Sequence, residues 1–239
     1  MVQGYKRRTF ELLNIVTGAR VLDVGCGRGD DVIAIARLVG PTGRPVGVDR
    51  SSAMLDVARQ AARQAGVRAE FVEADAVALP FPDGAFDACR IDRTLEHLAE
   101  PEAAVRELAR VCRSGGRVAA FEPDWDTLTV EAPDLATTRS VVDAHSDTYA
   151  HGTVGRSLRR ILVAAGLTDL VAEPVTLSSD ELKLAEAMLG LRLGLIEAVK
   201  ARRIVRADAD AWWRSLETAD ASGTFWATLT GTIAVGTKP

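Results

Sequence analysis

Cysteine is scarce in this sequence, with three in 239 residues. Cys26, Cys89 and Cys112 are odd in number, scattered and free of any CxxC spacing. That pattern excludes a disulfide framework and a cysteine-based zinc site, and the thiols read as reduced residues beside a buried sheet. Histidine is equally rare, at three. His145 and His151 flank Tyr149 with no third donor nearby, so no metal site is expected. Dense runs of Lys and Arg are missing and the net charge is −4, so nothing marks a nucleic-acid-binding surface. No stretch approaches about 18 uninterrupted apolar residues, which excludes a transmembrane helix. The opening segment MVQGYKRRTFELL is charged and lacks the apolar core of a signal peptide. The expectation is a soluble, cytoplasmic protein, monomer or homodimer, without internal repeats or low-complexity tracts.

What is present is a hydrophobic fraction of 47%, enough for a sizeable core without disulfides. The length suits one α/β domain of roughly 200 residues with inserted elements. Residues 1–18 show an i, i+3, i+4 pattern (Phe10, Leu13, Asn14, Thr17, flanked by Leu12 and Val16) that suggests an amphipathic helix. Short apolar runs then alternate with helical patterns. Val21–Val24, Pro45–Val48, Ala69–Val72, Ala85–Ile91 and Arg117–Phe121 read as buried strands. Between them lie the helical patterns of 31–38, 51–65 and 101–112. Ser51 and Ser52 suit a cap before a stripe of Met54, Ala58, Ala61, Ala62 and Ala65. Pro101 suits a first helical turn, with Val105, Leu108, Ala109 and Cys112 facing inward. Strands alternating with helices of this length imply βαβ units and a mostly parallel sheet, whose ligands gather at the carboxyl ends of the strands.

The second half departs from this rhythm. Residues 133–149 and 157–165 read as helices and Val171–Leu177 as a strand. A long helical stretch is expected over 180–203, with Ser178 and Glu181 at capping-box spacing. A further helix carries Trp212 and Trp213; being adjacent they should point different ways, one into the core and one toward substrate or a partner subunit. Phe225–Val235 reads as a last, Thr-rich strand.

The chemistry concentrates in VLDVGCGRGDD, Val21–Asp31. Gly25, Gly27 and Gly29 follow a strand and open a helix, where glycine permits a tight turn and close approach of a ligand to the backbone. The spacing is GxGxG, not the GxGxxG of a dinucleotide fold that places amides against a pyrophosphate. Asp23, just ahead of the glycines, suits a cationic ligand group. Asp49 ends the next strand about 20 residues beyond the loop, where a carboxylate can accept hydrogen bonds from a ribose diol. Asp75 and Ala76 follow the third strand, where a side-chain acceptor and a backbone amide can read an adenine edge.

These segments, together with GVDRS, LPFPDGAFD (Leu79–Asp87) and LEHLAEPEAAVRELARVCRSGGRV, resemble the class I S-adenosylmethionine-dependent methyltransferases. The likeness is to the broad type 11 group that includes the ubiquinone and menaquinone biosynthesis enzymes and many natural-product methyltransferases. It covers roughly Ala19–Trp125. It implies a Rossmann-like, seven-stranded, mostly parallel sheet with an antiparallel last strand, helices on both faces and a helical lid insertion near 180–220. It implies a single domain, with an N-terminal helix (1–18), a cofactor half (19–125) and a substrate half (126–239). S-adenosyl-L-methionine would be the cofactor, S-adenosyl-L-homocysteine its product, and a small-molecule acceptor the partner, methylated at O, N or C.

On this resemblance Gly25 and Gly27 approach the methionine moiety, Asp49 and the adjacent Arg50 hold the ribose region, and Asp75 and Ala76 contact adenine. Arg90 and Ile91 lie beside the sulfonium and amine. Family members carry small polar residues where this chain has Arg90, Asp92 and Arg93, and three roles for Arg90 stand open: binding the methionine carboxylate, facing the acceptor, or pairing with Asp92.

Methyl transfer from sulfur is an in-line displacement that depends chiefly on holding nucleophile and methyl collinear, with a base needed only if the acceptor must lose a proton. Candidate catalytic residues are His97 in LEHLAEP, His145, and Glu122 directly after the fifth strand. Each has a structural alternative: a residue before the Pro101 helix, an exposed helix face, and a loop cap. Trp125 is a candidate wall for an aromatic substrate. Met188, Leu191, Leu195 and Val199 form a stripe that either packs on the sheet or lines an apolar pocket. Tyr5 and Lys6-Arg7-Arg8 either fold over the cofactor or form a solvated face. A nicotinamide oxidoreductase is disfavoured by the GxGxG spacing. A non-methylating member of the fold, a cyclase or a cofactor-binding interaction subunit, is the alternative.

Overall fold

The computed structural model describes residues 2–239. The chain forms two compact units from interleaved segments. The larger holds residues 2–122, 157–173 and 232–239, and the smaller holds 123–156 and 174–231.

In the larger unit, α1 (Val2–Leu13) precedes β1 (Arg20–Val24), α2 (Asp30–Val39), β2 (Arg44–Asp49), α3 (Ser52–Gln64), β3 (Glu70–Glu73), β4 (Phe86–Asp92), α4 (Pro101–Val111) and β5 (Cys112–Pro123). The strands run β3-β2-β1-β4-β5, all parallel. The near-continuous apolar runs of β1 and β2 are what a strand covered on both faces requires. Register places Val72, Val48, Val24, Ile91 and Ala120 in one row across the sheet, so successive strands end side by side. Beyond β5 the final strand enters antiparallel: Gly115 N–H donates to Lys238 O and Lys238 N–H donates to Gly116 O.

Local chemistry fixes most boundaries. Asp30 and Asp31 occupy the first turn of α2, where negative charge meets the positive end of the helix dipole. Ser51 caps α3 by accepting from Met54 N–H at 3.3 Å. The stripe on α3 differs from the one expected, because Leu55, Ala58 and Ala62 are buried while Met54 is 45% exposed. Cys112 opens β5 rather than completing the face of α4, and the Ser114-Gly115-Gly116 segment lies within the strand.

In the smaller unit, α5 (Leu135–Ser146) is capped by Asp134, which accepts from the N–H groups of Ala136 and Thr137. A two-residue strand, β6 (Thr129–Val130), lies just before it. Back in the larger unit, α6 (Leu158–Ala164) leads into β7 (Thr168–Ser179), which continues into the smaller one. There follow α7 (Leu182–Leu189), α8 (Leu191–Lys200), α9 (Arg206–Ala221) and β8 (Ala227–Thr237). Strand β6 pairs antiparallel with the start of β8, which makes eight strands among the described residues where seven were expected.

The single helix expected over 180–203 is two helices, because Gly190 stands between them in the left-handed region at φ 61°. Nor does Ser178 cap it. Helix α7 begins on Leu182, whose N–H donates to Asp220, while the Ser179 hydroxyl binds the carbonyl of Glu181. Both tryptophans of α9 are buried. Trp212 Nε1–H donates to Thr138 Oγ1 at 2.8 Å and Trp213 Nε1–H to Glu217 at 2.6 Å, so each indole has the partner burial demands. Both join the apolar core of Trp125, Val141, Leu189, Leu216 and Phe225.

Candidate functional site

A cavity of about 480 Å³ opens at the carboxyl ends of the parallel strands in the larger unit. Its walls come from consecutive strand ends: Val24 and Gly25 after β1, Val48 to Arg50 at β2, Ala74 to Val77 after β3, and Arg93 and Thr94 after β4. His97 to Glu100 complete it.

The glycine loop is held by main-chain and carboxylate contacts. The N–H groups of Gly25 and Cys26 both donate to Val48 O. Gly25 has φ 71°, and a β-carbon there would stand 2.1 Å from Thr94 Oγ1. The position therefore needs glycine twice over, for conformation and for space. Asp49 sits between the loop and the next helix: Oδ2 accepts from Gly27 N–H at 2.8 Å and Oδ1 from Ser51 N–H at 2.9 Å. Asp75 Oδ1 accepts from Val77 N–H at 3.1 Å, shaping the turn beside Ala76.

Of the cofactor candidates, Gly25, Asp49, Arg50, Asp75 and Ala76 thus converge on one cavity, with Gly27 bonded to its rim through Asp49. Asp23, Arg90 and Ile91 are buried in β1 and β4 and are not among its lining residues. Arg90 is surrounded by carboxylates: Nη1 lies 2.7 Å from Asp23 and 3.1 Å from Asp31, and Nη2 donates to Asp92, while its Nε is buried without a partner. Burial works against its charge, but the three acids outweigh burial and hold its proton more firmly than usual. Burial pushes the Asp23 carboxyl above the ordinary range against the pull of Arg90. Partial burial pushes Asp31 the same way, yet Arg90 and Lys6 together hold it below that range.

Helix α1 closes over this network. Tyr5 stacks on Phe121 with centroids 3.9 Å apart and donates its hydroxyl to Asp92 Oδ1 at 3.2 Å. Lys6 meets Asp31 at 2.7 Å and Arg8 meets Glu173 at 2.6 Å. The basic N-terminal residues are thereby engaged by acids of the same unit.

The catalytic candidates separate. His97 lines the cavity. Burial, then the charges of Arg93 and Arg50, pull its pKa below the ordinary value, which keeps the imidazole neutral at pH 7. Glu122 is fully buried at the end of β5, and its Oε1 accepts from the N–H groups of Thr94 and Leu95 at 2.9 and 2.8 Å. It holds the turn that presents His97. Burial, reinforced by Glu96, drives its carboxyl well above the ordinary range. His145 belongs to the smaller unit, buried edge-on against Trp125 at 4.5 Å, with its Nε2 3.4 Å from the Tyr149 hydroxyl. Burial pushes its pKa down to about 4. Trp125 stacks on Tyr149 at 4.9 Å and is 5% exposed.

Thr94 and the segment Leu98–Glu100 were missed as cavity residues. The signal was available in the strand-end rule, but β4 runs one residue past Ile91, so its carboxyl-end loop begins at Arg93.

Comparison with known proteins agrees with this geometry. Residues 21–116 match the model of a methyltransferase domain. The chain is 36% identical over 230 residues to an uncharacterized 37.1 kDa protein in transposon TN4556 of Streptomyces fradiae, covering 95% of this chain and 65% of that protein. It is 43% identical over 120 residues to the ubiquinone/menaquinone biosynthesis C-methyltransferase UbiE of Pseudomonas putida, covering 49% of this chain and 47% of the enzyme. The chain therefore spans about two thirds of the first relative's length and about half of the second's. In fold it is similar to the YcgJ protein of Bacillus subtilis, with TM-score 0.71 and 18% identity over 99% of both chains. It is also similar to the [4+2]-cyclase SpnF, with TM-score 0.61 and 24% identity over 99% of this chain and 81% of that one. Residues 21–116 therefore match a methyltransferase domain, and the sheet that carries them, mostly parallel with an antiparallel last strand, is the arrangement that the resemblance to class I S-adenosylmethionine-dependent methyltransferases implies.

Proposed function

We propose that the cavity binds S-adenosylmethionine and that the chain transfers its methyl group to a small-molecule acceptor. The observation that carries this reading is the order of the lining residues. Asp75 and Ala76 at β3, Asp49 at β2 and Gly25 at β1 offer an adenine edge, a ribose acceptor and an uncovered backbone in succession along one wall. The residues present suit such a ligand. A carboxylate has about four lone-pair sites, and Asp49 gives one on each oxygen to Gly27 and Ser51, leaving one on each for the two ribose hydroxyls. The volume falls within the range of roughly 300 to 1,000 Å³ usual for such ligands.

Bound S-adenosylmethionine supplies an electrophilic methyl group on a positively charged sulfur. The contribution of the chain is then to hold the adenosine rigidly, so that an acceptor meets the methyl group in line. Neutral His97 is the lining group suited to take a proton from an acceptor that must lose one. Glu122 is committed to backbone amides, and His145 is not among the lining residues.

Calorimetric titration with S-adenosylmethionine, S-adenosylhomocysteine and, as control, NADH tests the reading. Micromolar binding of the first two and none of NADH is expected. A folded, ligand-free protein that binds neither removes the ground for it. Acceptor products should gain one methylene unit in mass; an unchanged mass would put the non-methylating reading in its place.

A further inference from the structure

Two arginines stand near the end of β4, and the structure gives them opposite fates. Arg90 is buried and surrounded by Asp23, Asp31 and Asp92. Arg93 lines the cavity with a half-exposed side chain. Its backbone is left-handed at φ 47°, a conformation that residues bearing a β-carbon rarely adopt and that costs energy to hold. The turn is pinned by Arg93 N–H donating to Phe121 O at 2.9 Å, one residue past the end of the strand.

The guanidinium is left without a saturating partner. Its ion-pair contact among the described residues is a loose 3.8 Å approach to Asp92. Asp92 is already committed to Arg90 and to the Tyr5 hydroxyl, and Glu122 to the amides of Thr94 and Leu95. Arg50 and His97 line the same cavity, and the charges of Arg93 and Arg50 both act on His97. Burial opposes the charge of Arg93 and the nearby Asp92, Glu96 and Glu122 sustain it, while its half-exposed side chain stays in the cavity wall.

We propose that Arg93 is the cavity's carboxylate anchor, offering the planar two-pronged donor that a carboxylate matches. This rests on the cofactor reading above. With adenine at β3 and ribose at β2, the strand order β3-β2-β1-β4 carries the other end of the ligand toward Arg93. That end of the cofactor is an amino acid with a carboxylate, and an acceptor bearing a carboxylate would present the same group there. Arg93, not Arg90, then performs the anion-binding role that the sequence had left open between pairing and binding.

Three probes test it by calorimetry on the full chain and on Arg93→Gln and Arg93→Lys: S-adenosylhomocysteine, 5′-methylthioadenosine, which lacks the amino acid, and benzoate as a free carboxylate. If the cofactor's own carboxylate is the ligand, Arg93→Gln weakens S-adenosylhomocysteine by about 10- to 100-fold, the scale of a charged hydrogen-bonded pair, and leaves 5′-methylthioadenosine unchanged. Arg93→Lys should fall between, keeping the charge and losing the fork. If an acceptor supplies the carboxylate, both nucleosides bind unchanged, and benzoate binds the wild-type complex with S-adenosylhomocysteine but not the Arg93→Gln complex. Unchanged binding of all three probes by Arg93→Gln overturns the proposal. So does an equal loss for both nucleosides, which would make Arg93 a structural residue. A wild-type chain that binds neither nucleoside fails the cofactor reading itself, a result visible before any variant is made.

Discussion

Asp49 gives the cofactor reading its sharpest consequence. Its carboxylate faces four donors when adenosine is bound: the N–H groups of Gly27 and Ser51 and the two ribose hydroxyls. Four lone-pair sites answer four donors. Asp49→Ala removes all of them. The two amides lie on a partly exposed rim, where water can replace the carboxylate, so the stability cost should be near 1 kcal/mol. The ligand loses charge-assisted bonds worth about 1.5 to 3 kcal/mol, or roughly a 10- to 150-fold loss of affinity. Asp49→Asn should do little better despite its shape. Its one carbonyl oxygen can accept at most two of the four donors, and its amide nitrogen faces a donor it cannot accept. Titration of adenosine and 2′-deoxyadenosine into both proteins separates these contributions. The wild type should discriminate between them, and Asp49→Ala should not. A folded Asp49→Ala that binds S-adenosylhomocysteine as tightly as wild type, or that keeps the discrimination, refutes the ribose assignment.

Other consequences come from the packing. Gly25→Ala would set a β-carbon 2.1 Å from Thr94 Oγ1 at a left-handed φ; it should abolish cofactor binding and lower the melting temperature, and adding Thr94→Ala should recover part of the stability because only the clash is relieved. No loss in the single variant would contradict the loop geometry. His145, held down to about pKa 4 by burial, stays unprotonated in the folded state while the unfolded chain takes a proton below about 6.5. Its stabilising contribution is present above pH 6.5 and is lost as pH falls toward 4, by about 3 kcal/mol in all. The difference in urea-unfolding free energy between wild type and His145→Leu should shift by that amount, and a pH-independent difference would rule the burial effect out. Arg90→Met leaves the buried Asp23 without its cation, and Asp31 and Asp92 to Lys6 and the Tyr5 hydroxyl, and should lose about 3 to 5 kcal/mol, partly recovered by adding Asp23→Leu. A single variant within about 1 kcal/mol of wild type would contradict the buried ion-pair network.

Where the fold was legible, one physical pattern dominated each segment. Val21–Val24 and Pro45–Val48 are apolar runs bounded by Gly and Asp, and β1 and β2 lie within a residue of them. Where reading failed, a tertiary contact outweighed the local signal. Ser178 and Glu181 have the right spacing for a cap, but Asp220 from α9 reaches the first amide of α7 and sets its start instead. Gly190 lies in a stretch of strong helix formers, and its weak local penalty did not reveal the left-handed turn that separates α7 from α8. Adjacent tryptophans on a helix do diverge, yet Thr138 and Glu217 give each indole N–H a partner while the rings stay buried. No rule of helical direction contains that information.

The site divides along the same line. Gly25, Asp49, Asp75 and Ala76 could be placed in one cavity wall because each stands where its strand ends, and strand ends can be read from sequence once the strands are. Arg90 and Arg93 are three residues apart at the edge of one strand, and nothing local distinguishes a surrounded cation from a half-exposed one. The difference is made by Asp23 and Asp31, far away in sequence, and by Tyr5 on α1, which takes the second oxygen of Asp92. Since Asp92 is engaged by Arg90 and Tyr5, Arg93 approaches it at 3.8 Å and keeps a half-exposed side chain in the cavity wall. The N-terminal helix thus bears on the cavity through the allocation of carboxylates, with Tyr5 on Asp92 and Lys6 on Asp31. A cation's function at the mouth of this sheet is set by how many buried acids stand behind it and how many of those are already paired.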